Sequence, residues 1–279
     1  MESWHISGST KLAAVIGSPI SHSLSPIIHN AGFRAINFDA VYLAFEYGTG
    51  DAEEAVTAMR NLPIIGLSVT MPLKTEICDY VDELSDSAKA LNSCNCIYWK
   101  GSSLIGESTD GIGFINSYLE KFPNGLDDKR VGIIGAGGAA RSIIVALNYS
   151  NCEEILIANR SKEKAEAACV LSEKSKLASV NDFDVCDIII NATSIGMSGS
   201  SSPDQSPLPP GLLTKNHVVV DIVYNPIETE LLKQAKSVGA ATLGGVLMLV
   251  HQAAAAFQLW TNEIAPIKPM KTAANAMIG

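Results

Sequence analysis

The chain has 279 residues, 47% of them apolar, and sets 20 lysines and arginines against 29 aspartates and glutamates for a net charge of −9 with its five histidines neutral. That length allows one large domain or two smaller ones with separate cores, and the apolar fraction excludes a disordered chain. The acidic balance argues against nucleic acid or an anionic membrane surface as partner, and no apolar run is long enough to span a bilayer.

Strand-like and helical runs alternate almost throughout, the mark of parallel sheets with crossover helices. Leu12–Gly17 reads as a short buried strand. Ser25 and Pro26 then start a helix, with Ser at the cap and Pro in the first turn. Val41–Phe45 is a second strand, and in Asp51–Leu62 the residues Ala52, Ala55, Val56 and Met59 repeat at helical spacing. Ile64–Thr70 is a third strand, and Pro72 is expected to open another helix. Residues 121–129, with Pro123, Asn124 and Gly125, read as a surface loop before a second alternating block. The strands of that block are Val131–Ile134, Ile155–Ala158, Asp187–Ala192 and Val218–Val223, with a Ser- and Pro-rich loop at Ser198–Gly211. A long apolar helix, Val246–Trp260, closes the pattern and is free to pack back on the first block. The fold class is therefore α/β in two domains with a cleft between them: residues 1–112 with 246–279, and a Rossmann-type doubly wound domain at 113–245.

Cys78, Cys94, Cys96, Cys152, Cys169 and Cys186 form no CxxC pair and no zinc-like spacing, so no metal is expected. Scattered thiols behind a short polar start, Met1–Lys11, fit a reducing cytoplasm rather than a secreted protein.

The segment VGIIGAGGAARS is a buried strand running into Gly135, Ala136, Gly137, Gly138 and Ala139 and then a helix. A lone GxGxxG is a weak signal, but strand–turn–helix is the context it requires, and Ala140 is an accepted third position. The helix start offers free N–H groups to a pyrophosphate. NAD sites place a carboxylate about 20 residues further on, to hold the ribose hydroxyls. Here Asn159, Arg160 and Ser161 stand at that place, followed by Lys162, Glu163 and Lys164. A guanidinium pairs with a 2′-phosphate that a carboxylate would repel, so the segment reads as an NADP site and not merely a solvated basic turn.

Four polar motifs cluster in the first block, and each has a structural reading of its own. Ser23 and Ser25 precede a helix, and Ser25 alone is commonly an N-cap. Thr70 and Lys74 surround Pro72. A cation in a helix's first turn opposes the macrodipole at a cost of roughly 0.3–1 kcal/mol, which makes Lys74 the odder of the two. Asn95 sits between cysteines, and Asp110 precedes a helix and could cap it.

Taken together, GSPISHSLSP, GLSVTMPLK, ALNSCNC, GESTDGIG, GAGGAARS, INATSIGM, DIVYNPIET and GGVLMLVHQAAAAFQLW resemble, in order from about Leu12 to Trp260, the motif series of the shikimate dehydrogenase family. The resemblance implies reversible, NADPH-dependent reduction of 3-dehydroshikimate to shikimate, a step of aromatic amino-acid biosynthesis. It implies that Ser23 and Ser25 bind the substrate carboxylate, and that Thr70, Asn95, Tyr224 and Gln252 contact the carboxylate or ring hydroxyls. It makes Lys74 the proton donor and acceptor, with Asp110 its partner. On the cofactor side it matches Gly135–Ala139, Asn159–Lys164, Ile222 and Gly245. His22, His29 and His251 lie in matching motifs without a proton-transfer role, and are read as packing or supporting residues.

Three positions depart from the family's usual pattern. Ser68 and Ser108 stand where Asn is usual, and Asn92 where Gly is usual. A paralogue acting on quinate or an amino analogue, and a non-catalytic NADP-binding sensor, are the competing readings; the intact Lys74 and Asp110 weigh against the sensor. A monomer or a homodimer is expected.

Overall fold

The computed structural model describes residues 5–278. In chain order the elements are β1 (Lys11–Gly17), α1 (Ser25–Ala35), β2 (Ala40–Glu46), α2 (Ala52–Asn61), β3 (Ile64–Val69), β4 (Glu83–Leu84), α3 (Asp86–Leu91), β5 (Cys96–Lys100), β6 (Ser103–Glu107) and α4 (Asp110–Lys121). Then follow β7 (Arg130–Ile134), α5 (Gly138–Asn148), β8 (Glu154–Ala158), α6 (Lys162–Cys169), β9 (Ser175–Leu177), β10 (Ile188–Asn191), β11 (Val218–Asp221), α7 (Glu230–Ser237), β12 (Ala241–Gly244), α8 (Gly245–Thr261) and α9 (Ile267–Ile278). They form two compact units. One runs to Thr109 and takes in Val250–Met277; the other is Asp110–Leu249.

The first unit holds a six-stranded sheet in the order β2-β1-β3-β5-β6-β4. Strands β1, β2 and β3 are parallel, as βαβ connections through α1 and α2 dictate. The other half departs from the parallel pattern expected: β5 runs antiparallel to both β3 and β6. The β5–β6 connection is tight because Gly101 takes φ +64°, a left-handed turn that glycine accepts without strain. Apolar residues of β1 and β3 pack with the buried stripe of α2 and with Leu73 and Ile77 in one core.

Helix α8 returns to this unit. Its Trp260 indole donates to the Ile97 carbonyl at 3.0 Å, and it fills the space over Gly66, where a Cβ would lie 2.1 Å from the ring.

Two local expectations are corrected. No α-helix follows Pro72. The chain turns through residues 71–75, held by the Leu73 N–H on the Thr70 carbonyl, and only a short 3₁₀ helix, Glu76–Asp79, follows. Packing of Leu73 and Ile77 into the core sets that turn, and the macrodipole argument about Lys74 falls with the helix. Ser25 is not a cap either: it is the first helical residue, Leu24 stands at the N-cap, and no side chain caps α1.

The second unit is a six-stranded parallel sheet in the order β12-β11-β10-β7-β8-β9, the doubly wound order in which the chain reverses direction between β7 and β10. Its strands are apolar on both faces because helices cover both. Ile155, Ile157, Ile188 and Ile190 belong to one core, whereas Leu156, Ala158 and Ile189 belong to the other.

Candidate active site

In the first unit the candidate residues gather at the ends of β1 and β3. Gly17 ends β1 with φ +151°, and a Cβ there would sit 2.4 Å from the Thr70 methyl and 2.7 Å from the Met71 carbonyl oxygen. The Thr70 N–H donates to the Ile16 carbonyl at 2.9 Å, and the Ser18 N–H to that of Met71 at 2.9 Å. These contacts lock the serine-bearing loop, residues 18–25, against the Thr70–Lys74 turn. Ser23 Oγ accepts from the Ser25 N–H at 3.3 Å, which shapes the loop, and the Thr70 hydroxyl makes no hydrogen bond among the described residues. Thr70 and Lys74 are half-buried.

Asn95 and Lys74 are fixed by a shared segment. The Lys74 carbonyl accepts from the Cys94 N–H at 2.9 Å, and the Asn95 carbonyl from the Val69 N–H at 2.8 Å. The Asn95 amide is 7% exposed; it accepts from the Thr109 N–H at 2.7 Å and donates to the Thr109 hydroxyl at 3.1 Å. Much of the hydrogen-bonding capacity of Asn95 is thus spent on Thr109. Gln252 lies half-buried on α8. Asn92, where glycine is usual, takes φ 47° and ψ 47° at the C-cap of α3, a conformation asparagine tolerates best among residues with a side chain.

Two further buried groups lie in this unit, His29, read from the sequence as a packing or supporting residue, and Tyr42, which the sequence did not single out. Tyr42 and His29 are completely buried, their rings stacked with centroids 4.4 Å apart, and Trp260 lies 4.9 Å from His29. Neither imidazole nitrogen, nor the Tyr42 hydroxyl, has a hydrogen-bond partner among the described residues. Desolvation pushes the His29 pKa down to about 3, so the ring is neutral throughout the physiological range. An unsatisfied buried polar group costs about 1–3 kcal/mol, which something else in the fold must offset.

In the second unit β7 runs into the glycine turn at the point of chain reversal. Gly135 takes φ +115°, donates its N–H to the Ala158 carbonyl at 2.8 Å, and leaves no room for a Cβ, which would meet the Ala192 carbonyl oxygen at 2.8 Å. Beyond it, a Cβ on Gly137 or Gly138 would meet nothing within 4 Å. Gly137 is the N-cap of α5 and offers no side chain, so the first N–H groups of that helix face open space. Ala140 is fully buried in the core that seats the helix. This cradle fits a pyrophosphate.

At the end of β8 the Asn159 side chain donates to the Ser161 carbonyl at 2.9 Å and so shapes the turn. The Ser161 hydroxyl is committed as N-cap of α6, accepting from the Lys164 N–H at 3.4 Å and donating to Glu163 at 2.7 Å. That hydrogen bond holds the Glu163 carboxyl below its usual range. Lys162 pairs with Glu166 at 3.6 Å. Arg160, between them, is exposed, and its side chain enters no hydrogen bond or ion pair among the described residues.

The remaining residues of this unit follow β11 or open α4. Asp110 is the first residue of α4. Ile222 and Tyr224 are half-buried, and burial raises the Tyr224 phenol. Gly245 opens α8 where a Cβ would lie 2.1 Å from the Ile222 carbonyl oxygen, so glycine is obligatory there. A buried network that sequence reading missed holds this loop. The Asp221 carboxyl accepts from Thr229 Oγ1 at 2.6 Å, Asn191 Nδ2 at 3.0 Å and the Val223 N–H at 3.1 Å. Among the described residues no cluster of His, Cys, Asp and Glu could hold a metal ion, and no helix is long and apolar enough to cross a membrane.

A parallel doubly wound unit whose glycine turn fits a pyrophosphate, in a chain whose other unit carries a fixed lysine among its polar residues, defines an α/β oxidoreductase of the dinucleotide-dependent kind. Family comparison carries this further. Residues 15–97 match the shikimate dehydrogenase substrate binding domain, 118–228 the shikimate/quinate 5-dehydrogenase domain, and 245–274 the shikimate 5'-dehydrogenase C-terminal domain. The NADP(+) shikimate dehydrogenase of Bacillus subtilis is 40% identical over 276 residues, covering 96% of this chain and 98% of its own. A shikimate dehydrogenase solved in complex with NADP+ superposes with a TM-score of 0.93 at 38% identity, covering 99% of this chain and 98% of its own. The Listeria monocytogenes shikimate 5-dehydrogenase, solved with shikimate and NAD, does so at 0.90 and 33%, covering 97% and 98%. The chain belongs to the shikimate dehydrogenase family.

Proposed function

We propose that this chain catalyses the reversible, NADPH-dependent reduction of 3-dehydroshikimate to shikimate. The observation that carries the cofactor choice is the open glycine turn followed, at the next strand end, by an unengaged Arg160 where NAD sites carry a carboxylate. The turn Gly135, Ala136, Gly137, Gly138 and Ala139 takes the pyrophosphate, and Arg160 with Lys164 takes the 2′-phosphate. Asn159 and Ser161 shape that turn. Ile222 and Gly245 line the nicotinamide end, where glycine admits close approach. The bound cofactor supplies the hydride.

The protein's own work is to orient the substrate and move one proton. Ser23 and Ser25 hold the carboxylate, and Thr70, Asn95, Tyr224 and Gln252 hold the ring hydroxyls and fix which face is offered. Lys74 Nζ delivers the proton to the carbonyl oxygen as it becomes an alkoxide, and takes it back in the reverse direction. Asp110 shares the same hydroxyl. Residues 1–112 with 246–279 form the substrate-binding part and 113–245 the NADP-binding part. The thiols, free among the described residues, support a reducing cytoplasm as the site of action.

A spectrophotometric assay of shikimate and quinate against NADP and NAD tests this reading. The expected result is fastest reduction with shikimate and NADP. Preference for quinate moves the chain to the other substrate named in its family description, and no reduction in any combination rejects the enzyme.

A further inference from the structure

Resting on the shikimate reading, we propose that Tyr42 is the positioning residue of the carboxylate site: its hydroxyl donates to Ser25 Oγ and so turns the serine's own O–H towards the ligand carboxylate.

Tyr42 is wholly buried on β2, and its hydroxyl lacks a hydrogen-bond partner among the described residues. The hydroxyls facing that oxygen are those of Ser68 and Ser25, near enough to favour its ionised form against burial, though neither is aligned as a partner. The placement of Tyr42 is rigid. Asn30 on α1 donates from Nδ2 to the Tyr42 carbonyl at 2.9 Å and accepts the Tyr42 N–H on Oδ1 at 2.9 Å. The same helix carries Ser25 at its first position, one turn before His29 whose ring stacks on Tyr42, so the helix face that bears Ser25 is fastened to β2 at Tyr42. The ring is held by His29 at 4.4 Å and Trp260 at 5.9 Å, contacts that do not involve the hydroxyl.

A hydroxyl accepts and donates at once. When a carboxylate takes the Ser25 proton, the serine oxygen becomes a better acceptor, and Tyr42 is the adjacent donor. The relay runs from Tyr42 to Ser25 to the carboxylate. Ser68 matters here because its hydroxyl also faces the phenol and can donate to it, which leaves the phenol's own proton for Ser25.

Tyr42→Phe keeps the stacked ring and removes only the hydroxyl, and shikimate oxidation with saturating NADP reads the effect. The expected result is a KM for shikimate raised about tenfold, the upper end for one net hydrogen bond, with kcat within a factor of about three. The KM for NADP stays unchanged. The melting temperature of the ligand-free variant equals or exceeds that of the parent, because the lost group was unsatisfied, while stabilisation by shikimate shrinks. In a Ser25→Ala background Tyr42→Phe adds no further rise. An unchanged KM, additive effects with Ser25→Ala, or a fall in kcat alone overturns the assignment of Tyr42. Parent protein that neither oxidises shikimate nor is thermally stabilised by it overturns the shikimate reading and this proposal with it.

Discussion

Asn191 Nδ2 donates to Asp221 Oδ1 at 3.0 Å, joining the ends of the adjacent parallel strands β10 and β11. Burial sets the behaviour of that carboxyl: despite accepting hydrogen bonds from Thr229, Asn191 and the Val223 N–H, it titrates at about 6 instead of 3.8. A raised folded-state pKa means the native state binds the proton more tightly than the unfolded chain. This group's contribution to stability is therefore full below about pH 4 and lost as the pH climbs through about 6. Replacing Asp221 with Asn removes the titration. The melting temperature of the parent minus that of Asp221→Asn should fall by several degrees between pH 4 and pH 7 and stay level above. A difference independent of pH contradicts the assignment.

Gly135 is bound to glycine by its backbone angle and by the Ala192 carbonyl. Gly135→Ala forces a shift of the turn or of β10, a strain of about 1–3 kcal/mol. The expected outcome is NADP affinity weakened about tenfold or more in a fluorescence titration, with a lower melting temperature. Gly137→Ala and Gly138→Ala, where a Cβ meets only open space, should lower the melting temperature far less while still obstructing NADP.

The guanidinium of Arg160 should separate the two cofactors. Losing a charge-assisted hydrogen bond costs about 1.5–3 kcal/mol, so Arg160→Ala should weaken NADP roughly 10- to 150-fold and NAD at most twofold. Equal losses for both would take the 2′-phosphate away from this residue.

Lys74→Ala should cut turnover by roughly 10²–10⁴-fold while NADP affinity holds, the signature of a lost proton donor. Single-turnover absorbance at 340 nm separates the chemical step from binding. Turnover at the parent rate would return Lys74 to a structural role, of which its backbone already has one in the contact with Cys94.

What could be read from residue order follows the strength of local signals. The second unit was legible because Val131–Ile134, Ile155–Ala158 and Val218–Val220 are apolar runs rich in β-branched residues. Strands β9 and β12 were missed for the converse reason: Ser175–Leu177 and Ala241–Gly244 are short, and mix serine, alanine, threonine and glycine. The β5–β6 hairpin had a cue in Gly101 between two apolar runs, but alternation of strands and helices elsewhere argued for parallel pairing. Pro72 was read by the rule that proline opens helices, and packing of Leu73 and Ile77 overrode it.

Most candidate residues stood in recognisable motifs. Tyr42 did not, and His29 and Asp221, though inside matching motifs, gave no hint of their surroundings, because a buried group without a partner, or with several, is defined by residues far away in sequence. Asn30 and Ser25 are near one another in the chain, but only the β1–β2 register brings Tyr42 to them.

The seat that Gly66 offers to Trp260 bears on how the chain is made. The strands of the first unit are complete by residue 107, yet the indole that fills the space over Gly66 and donates to the Ile97 carbonyl comes only with α8. Residues 110–249, by contrast, form a continuous stretch with its own cores. The seat over Gly66 therefore stays open until residues 250–277 join the first unit, whereas residues 110–249 pack from one continuous stretch.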